Sequence, residues 1–272
     1  MTEAEHKYLE TYDITKYDRP SVAVDVVAFT VLTEEETNNK RDAKPKLAVL
    51  LVKRGEHPYK DCWALPGGFV RSNETLEQCA IREITEETSI TPTAIMPIGT
   101  FSDPKRDPRG RIISNAYVSV ISGEKIDAIG GDDAVDAAWF DCTFQFCDAG
   151  LYMKLVHDKT EIYAELSEKG VKFGVSEFTI KKNMGLAFDH ALILARAISC
   201  LRNTADDFDI LFDFLPEKFT LAQMQSTQEA ILNVKLLTAN FRRKAALYIE
   251  ETDEYTSGVG HRPAQLFRKK TQ

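Results

Sequence analysis

The segment from Gly68 to Ile90 constrains this chain most, because it predicts one capped helix that carries a dense row of charges. Thr75 and Gln78 have the spacing of a capping box, in which each side chain binds a backbone N–H at the start of a helix. From Thr75 the helix is predicted to run to about Thr88, before Pro92.

Three glutamates, Glu83, Glu86 and Glu87, are spaced i, i+3 and i+4 on that helix, so their carboxylates project from one side. Like charges this close repel one another, which favours a cation among them. The predicted cofactor is Mg²⁺ or Mn²⁺, since hard divalent cations prefer oxygen ligands and keep waters that bridge to phosphate. Arg82 lies four residues before Glu86 and can orient its carboxylate. The alternative is an ordinary solvated acidic surface.

Runs of β-branched and aliphatic residues around this helix predict a mixed α/β or α+β sandwich. Strands are expected at Val22–Leu32, Leu47–Val52, Ile98–Phe101, Ala116–Ile121 and Ala137–Phe140. A hairpin without assigned chemistry follows, formed by Tyr152–Val156 and Glu161–Leu166. The amphipathic stretch Leu186–Leu201 predicts a further helix.

The polar and acidic stretch Asn203–Asp209 is the expected domain boundary. The first domain would occupy residues 1–203, with its core at about 20–142, the inserted hairpin at about 151–169 and a closing helix at about 186–202. The second domain would occupy residues 204–272.

The helix segment resembles the Nudix box: Gly68, five residues, Glu74, seven residues, then Arg-Glu-Ile-Thr-Glu-Glu at 82–87. The resemblance extends from about Val22 to Phe140, and it implies an α/β/α sandwich with a mixed sheet. The implied catalytic residues are Arg82, Glu83, Glu86 and Glu87, and the implied metal site is Gly68, Glu83, Glu86 and Glu87. Ser89 stands where the family has glycine, and positive φ at a serine costs about 1 kcal/mol.

The reaction implied by this resemblance is attack of a metal-activated water on a diphosphate linkage. Several carboxylates could act as the general base. Glu86 and Glu87 are two candidates on the helix, and Asp132 and Asp133 are alternatives in a loop.

Arg54 and the loop Ser102–Arg111 supply arginines, whose planar guanidinium groups suit phosphate. A flexible charged loop is the alternative. The segments Asp103–Tyr117 and Gly131–Ala134 resemble the ADP-ribose-handling branch of the Nudix family, which implies ADP-ribose or a related nucleotide sugar as the ligand. The predicted substrate-binding residues are Arg54, Gly67, Arg106, Asp107 and Arg109, with Arg111 as a further candidate. Phe101 or Tyr117 could stack on a base, although both also fit core positions.

The end of the chain predicts two helices and a two-stranded wing, the layout of a winged helix-turn-helix. Thr220 and Gln223 form a second capping box. In the next helix Phe241, Ala245 and Ile249 would face inward, with basic residues facing outward near its N-terminal end. A small helical cap with a solvated basic face is the alternative.

This region resembles the Nudix-related transcriptional regulators, in which a Nudix domain senses a metabolite and a winged helix binds operator DNA, usually as a homodimer. The resemblance includes the segments 188–194, 215–221, 240–244 and 262–264. The predicted DNA-binding residues are Asn240, Arg242, Arg243, Lys244 and Arg262. His190 is interpreted as a packed structural histidine.

Composition agrees with a cytoplasmic protein of two unlike parts. The chain has 272 residues and a net charge of −8. Residues 231–272 carry eight basic and four acidic residues, so +4 is concentrated there and about −12 in the rest. The sequence contains no long apolar run, and its five scattered cysteines indicate neither disulfides nor zinc.

Two functions follow as hypotheses. The first is a Mg²⁺-dependent Nudix pyrophosphatase that cleaves ADP-ribose or a related sugar nucleotide and is fused to a DNA-binding winged helix. The alternative is an ADP-ribose-responsive transcriptional regulator with little or no hydrolase activity.

Overall fold

The computed structural model describes residues 1–32, 45–92, 94–122, 134–148, 150–172, 175–204, 208–256 and 263–270. Its helices are α1 (Glu3–Thr11), α2 (Leu76–Thr88), α3 (His190–Asn203), α4 (Phe208–Asp213), α5 (Leu221–Leu232) and α6 (Thr238–Ala245). Its first strands are β1 (Ser21–Leu32), β2 (Lys46–Arg54), β3 (Trp63–Ala64), β4 (Gly67–Phe69), β5 (Ile95–Phe101) and β6 (Ile112–Val120). The remaining strands are β7 (Ala134–Cys147), β8 (Gly150–His157), β9 (Thr160–Lys172), β10 (Val175–Met184), β11 (Ile249–Tyr255) and β12 (Gln265–Lys269).

Ten of the described strands form one sheet, in the order β10-β9-β8-β7-β2-β1-β6-β5, with β3 paired to β2 and β4 paired to β1. β1 and β6 are parallel, whereas β1 and β2, and β2 and β7, are antiparallel. The predicted mixed sheet is therefore confirmed.

The two faces of this sheet are covered by different helices. Along β1, Val24 and Val26 point to one core, which α2 covers through residues such as Ile84. Val27 and Phe29 belong to the opposite core, which contains α3. A central strand buried on both faces explains why the sequence of β1 is almost continuously apolar.

The inserted hairpin continues the main sheet instead of forming a separate unit. β7 crosses the predicted end of the core at 142, and β8 pairs with it from Gly150 to Val156. β9 and β10 then add two more strands. β10 was not predicted, because its segment is rich in charged and polar residues that hide the strand pattern.

The closing helix was predicted to begin at about residue 186, but in the structure it begins at His190. Leu186 forms a parallel bridge with Trp63, and the Ala187 amide donates to the Trp63 carbonyl at 2.8 Å. Phe188 then has a left-handed φ of 49°, so the helix begins only at His190.

The C-terminal elements have the predicted helix–helix–wing order. Thr220 and Gln223 form the predicted capping box at the start of α5. Ile249 is buried as predicted, but it begins β11 and does not belong to a helix. The domain limit between residues 203 and 204 stays a prediction.

The winged-helix part shares a core with the sheet. Its buried residues Phe219, Met224 and Phe241 belong to the same apolar cluster as Phe29 of β1. Asn233, which ends α5 with a φ of 53°, donates a 2.8 Å hydrogen bond from its side chain to the Phe144 carbonyl of β7. Apolar packing and a polar contact therefore both join the two parts.

The structure bears on membrane-spanning helices and on the state of the cysteines. None of the described helices is both long enough and apolar enough to cross a membrane. All five cysteines are free thiols, with Cys79 and Cys142 buried and Cys147 exposed.

Candidate functional site

The turn before α2 packs its backbone against the carboxylates of the helix. The amide of Gly67 donates a 2.9 Å hydrogen bond to Oε2 of Glu87. A Cβ on Gly67 would collide with the carbonyl oxygen of Val24, and a Cβ on Gly68 would displace the carboxylate of Glu83. Both glycines therefore allow the close approach of turn, strand and helix on which the site depends.

Arg82 is the centre of an ion-pair network on α2. Its Nε and Nη2 donate to both carboxylate oxygens of Glu74, at 2.9 and 2.7 Å. Its Nη1 donates to Glu83 at 2.7 Å and to Glu86 at 3.0 Å. The hydrogen bonds from Arg82 lower the pKa of Glu74 to about 2. Arg82 thus contacts Glu86 as expected, but its bidentate partner is Glu74, a residue without a predicted role.

The three glutamates of α2 have different environments. Burial raises the pKa of both Glu83 and Glu87, that of Glu87 to about 8. These two side chains line a cleft in front of the helix. Glu86 is outside the cleft lining; its side chain is 45% exposed and lies 3.5 Å from Arg71. In the part of the chain that the structure describes, no three His, Cys, Asp or Glu side chains converge as a ready-made metal site.

Part of this donor set suits a divalent cation. Glu83 and Glu87 are hard oxygen donors whose ionised forms are disfavoured by burial, and a cation between them would stabilise those forms. Glu86 would have to leave Arg71 and Arg82 to join them. Glu83 and Glu87 are therefore the residues that would hold the cation, and participation of Glu86 stays a prediction.

The cleft has a volume of about 510 Å³, within the range of small-molecule sites. All five residues predicted to bind substrate line it, namely Arg54, Gly67, Arg106, Asp107 and Arg109. Gly68 and Arg82 line it as well. Arg111 is turned to its own loop, where its Nη1 donates to the Ser102 carbonyl at 2.8 Å.

Arg106 is held inside the protein by two carboxylates. Its side chain is only 5% exposed, and its Nε and Nη2 donate to Asp189 at 3.0 and 2.7 Å. Nη2 also lies 3.3 Å from Asp25. These contacts engage Nε and Nη2 of the guanidinium group that was predicted to bind phosphate, so Arg106 supports the wall of the cleft. Asp189 makes no side-chain cap for α3, because its carboxylate binds Arg106.

His190 connects the start of α3 to the cleft. Its Nδ1 accepts a 2.9 Å hydrogen bond from the Leu65 amide, so the proton is placed on Nε2, 3.3 Å from Asp25. Burial alone would raise the pKa of Asp25, but His190, Arg106 and Ser114 outweigh it and lower that pKa to about 2. The interpretation of His190 as a packed structural histidine agrees with these contacts.

Two arginines of the cleft contact the same aromatic ring. The guanidinium carbons of Arg54 and Arg109 lie 4.9 and 5.5 Å from the centroid of Phe188. Asp107 binds Nε and Nη2 of Arg109 at 3.1 and 2.8 Å, so its role is to hold that arginine. Tyr117, considered as a base-stacking residue, is 3% exposed and packs in the α2-side core.

Sequence reasoning did not identify Asp25, Ser114, Phe188 or Asp189 as site residues. Asp25 is a charge inside an apolar strand, which was the available signal for a buried partner. Phe188 and Asp189 lie far from the box in sequence, and pairing of the segment with Trp63 brings them to the cleft. Asp132 and Asp133, the alternative bases, lie outside the described residues.

A second candidate surface lies on α6. Asn240, Arg242, Arg243 and Lys244 are all exposed there. The three basic residues occupy the last turn of this short helix, so the prediction that they lie near its N-terminal end is wrong. Cations are favoured at that position because the carbonyl end of a helix is negative. Arg262 lies outside the described residues.

Comparison with known proteins supports the two-part organisation. Residues 24–143 match the model of the NUDIX domain, and residues 211–268 match the NrtR DNA-binding winged helix domain. An ADP-ribose pyrophosphatase of Methanocaldococcus jannaschii is 40% identical over 138 residues, which cover 50% of this chain and 72% of that protein. An ADPR-responsive transcriptional repressor of Acinetobacter baylyi is 28% identical over 97% of this chain and 88% of its own length. The crystal structure of a MutT/nudix family protein from Enterococcus faecalis superimposes with a TM-score of 0.74 and 29% identity, covering 99% of this chain and 94% of that one.

Proposed function

The chain belongs to the Nudix family and carries an NrtR-type winged-helix domain, and we propose that it binds ADP-ribose in the cleft and thereby changes its affinity for DNA. One observation carries this proposal. The Nudix part has a cleft rich in arginines and carboxylates, and the winged-helix part has an exposed basic helix. The two parts share one continuous apolar core. A relative that matches nearly the whole chain is an ADPR-responsive repressor.

The chemistry of the cleft suits a nucleoside diphosphate sugar. Arg54 and Arg109 supply guanidinium groups, which form charge-assisted hydrogen bonds with phosphate oxygens. Glu83 and Glu87 would hold a divalent cation, which neutralises diphosphate charge when it is bound. The relative from Methanocaldococcus jannaschii supports ADP-ribose as the particular ligand.

A packed route joins the cleft to the basic helix. α3 begins at His190 in the cleft wall and packs against α5. Beyond α3, Phe208 of α4 stacks on Tyr248 with ring centroids 4.7 Å apart and contacts Phe241 of α6 at 6.3 Å. Packed side chains thus connect α3 with α6, and coupling between two sites travels through contacts of this kind.

A mobility-shift titration tests this function, with duplex DNA taken from upstream of the protein's own gene. Mg²⁺ is kept in the buffer, because the proposed site includes a cation, and a methylene-bridged analogue of ADP-ribose, which water cannot cleave, repeats the titration as a check against hydrolysis. We expect saturating ADP-ribose to change the DNA dissociation constant by about fivefold or more, the usual lower range of allosteric coupling. The Arg242→Ala, Arg243→Ala variant should bind DNA more weakly, and Lys181→Ala, Lys182→Ala on β10 is the matched control of two exposed basic residues. Equal DNA affinity with and without ADP-ribose would refute the proposal.

Hydrolysis of ADP-ribose is a second candidate function, and the complete set of Arg82, Glu83, Glu86 and Glu87 favours it. Attack of water on one phosphorus would release AMP and ribose 5-phosphate. A divalent cation lowers the pKa of such a water when bound. In the protein itself, Arg82 fixes Glu83 and Glu86, and the Gly67 amide orients Glu87.

Release of AMP from ADP-ribose in Mg²⁺ tests this second function. The Glu86→Gln, Glu87→Gln variant should lower kcat on the order of 100-fold or more, because it removes candidate bases and cation ligands. Glu77→Gln, an exposed glutamate on the same helix, is the matched control and should retain activity. Release that survives in the double variant would exclude Glu86 and Glu87 as residues that catalysis requires.

Two further predictions accompany the regulatory role. Operator-binding proteins of this layout usually act as homodimers, and sedimentation of the purified chain tests that state. A role at DNA would also place the protein in the cytoplasm, as its sequence predicts.

A further inference from the structure

The ring of Phe188 lies beside two arginines in the cleft. Its ring lies 4.9 Å from the guanidinium carbon of Arg54 and 5.5 Å from that of Arg109, both within the range of cation–π attraction. The Tyr59 ring packs against it at 4.7 Å, with the two planes tilted by 58°. One aromatic side chain thus touches both arginines that are predicted to bind the diphosphate.

The two arginines repel each other, so something must hold them together. Burial and the charge of Arg109 both lower the pKa of Arg54 below its ordinary value. Each guanidinium has one fixed edge: Nε of Arg54 donates to the Pro58 carbonyl at 2.8 Å, and Nε and Nη2 of Arg109 bind Asp107. The face of the Phe188 ring is negative and attracts both cations, whereas the Phe69 ring, whose centroid is 5.2 Å from the guanidinium carbon of Arg109, contacts Arg109 and not Arg54.

The backbone of Phe188 is itself held in a costly conformation. Its φ of 49° is left-handed, which is rare for a bulky residue and costs about 1–2 kcal/mol. Neighbouring contacts keep it there: Ala187 donates to Trp63, and Asp189 binds Arg106. Strain of this kind in a cleft wall, fixed from both sides, indicates that the direction of the ring matters.

We propose that Phe188 is a positioning residue for diphosphate binding, whose ring holds the guanidinium groups of Arg54 and Arg109 together in the cleft. This inference rests on the proposed binding of a nucleoside diphosphate sugar. In this role the ring acts through the arginines. Stacking of the same ring on adenine is a different role, and the experiment below separates the two.

Isothermal titration calorimetry with ADP-ribose and with inorganic pyrophosphate, on the full-length protein, measures the role of the ring. Phe188→Leu keeps an apolar side chain but removes the aromatic face, whereas Phe188→Tyr keeps the face. We expect Phe188→Leu to weaken both ligands about tenfold and Phe188→Tyr to stay within about threefold of the unaltered protein. Thermal unfolding confirms that each variant is folded.

Phe146→Leu is the matched control, since Phe146 also carries an arginine over its ring, Arg202 at 4.2 Å, but lies outside the cleft lining. It should leave both dissociation constants unchanged. A double-mutant cycle adds a test of positioning: Arg109→Ala should weaken pyrophosphate binding clearly less in the Phe188→Leu background than in the unaltered protein.

The outcomes distinguish the two proposals. Loss of ADP-ribose affinity without loss of pyrophosphate affinity would overturn the positioning role and assign Phe188 to nucleoside stacking. Binding of pyrophosphate but not of ADP-ribose by the unaltered protein would refute the proposed ligand, while the pyrophosphate series would still decide the role of Phe188. Unchanged affinities in Phe188→Leu, additive effects in the cycle, or binding of neither ligand would each overturn the inference.

Discussion

The cleft and the basic face of α6 carry similar residue types, but the structure holds them in opposite ways. In the cleft, Arg82 and Arg106 are 15% and 5% exposed and are bound by carboxylates. On α6, Arg242 and Arg243 are exposed, and the contact of Arg243 is a long one, 3.5 Å to Asn240. Arg82 and Arg106 are therefore held in place by carboxylates before a ligand arrives, whereas Arg242 and Arg243 extend into solvent.

This difference fits the two kinds of ligand. A small diphosphate offers few groups, so its binding energy depends on donors fixed in place beforehand. The phosphates of DNA form a long repeating row, and exposed cations gain affinity there mainly by releasing counterions. Changes in the cleft should therefore alter stability and ligand affinity, and changes on α6 should alter DNA affinity alone.

The largest expected effect is on folding, from Arg106→Met. This change removes the ion-pair partner of the nearly buried Asp189 and leaves Asp25 to His190 and Ser114, which costs about 3–5 kcal/mol in the free energy of unfolding. Urea unfolding measures it. Arg111→Met, an exposed arginine in the same loop, should cost less than about 0.5 kcal/mol. If both variants lost similar free energies of unfolding, the contrast between the buried ion pairs of the cleft wall and the exposed arginine of the same loop would be wrong.

Arg109→Ala should weaken ADP-ribose binding by about 10- to 100-fold, because it removes charge-assisted hydrogen bonds worth about 1.5–3 kcal/mol. Asp107 is 3% exposed and loses its ion-pair partner in this variant, so the free energy of unfolding should fall as well, and the affinity is measured at a temperature where the variant is folded. Calorimetry gives the affinity, with Arg111→Ala as the control. An unchanged dissociation constant would show that the diphosphate binds elsewhere.

The salt dependence of DNA binding tests the role of the exposed basic residues on α6. The plot of log K against log salt concentration should become less steep by about 1 for each phosphate-binding residue removed, and thus by about 2 in Arg242→Ala, Arg243→Ala. The unfolding free energy should stay within about 0.5 kcal/mol, since both side chains are exposed. A slope that does not change would move the DNA contact away from α6.

The smallest expected effect comes from Ser89→Gly at the end of α2. Ser89 has a φ of 60°, so glycine should raise the free energy of unfolding by about 1 kcal/mol, and DNA affinity should not change. Ser89→Ala serves as the comparison, because it keeps the Cβ and should give no such gain. A Ser89→Gly variant no more stable than the original would contradict the strain at this cap.

Local rules predicted much of the fold. Capping boxes at Thr75 and Thr220 marked the starts of α2 and α5 correctly, because the bonds involved span only three residues. The positive φ at Ser89 was also predicted, because the Nudix family has glycine at this position. β10 was missed because its charged and polar residues hide the strand pattern, and the true start of α3 was missed because pairing with the distant Trp63 decides it.

The candidate site shows the same limit more sharply. The spacing of the box was enough to bring Glu83 and Glu87 to the cleft, but it did not show that Glu86 would lie outside it. Arg106 was predicted as a phosphate ligand from its residue type, and only its distances to Asp25 and Asp189 reveal that it is bound within the protein. These ion-pair partners lie more than 80 residues apart, so no pattern in the local sequence indicates that they meet.

The most direct test of the account is the affinity for ADP-ribose of the protein alone and of its DNA complex, measured by calorimetry in Mg²⁺ with the methylene-bridged analogue as a check against hydrolysis. Coupling free energies are reciprocal, so the factor by which ADP-ribose changes DNA binding must equal the factor by which DNA changes ADP-ribose binding. We predict a change of about fivefold or more in the ADP-ribose dissociation constant, absent in the Arg242→Ala, Arg243→Ala variant. The same dissociation constant with and without DNA would contradict the claim that this chain couples a nucleotide cleft to a DNA-binding helix.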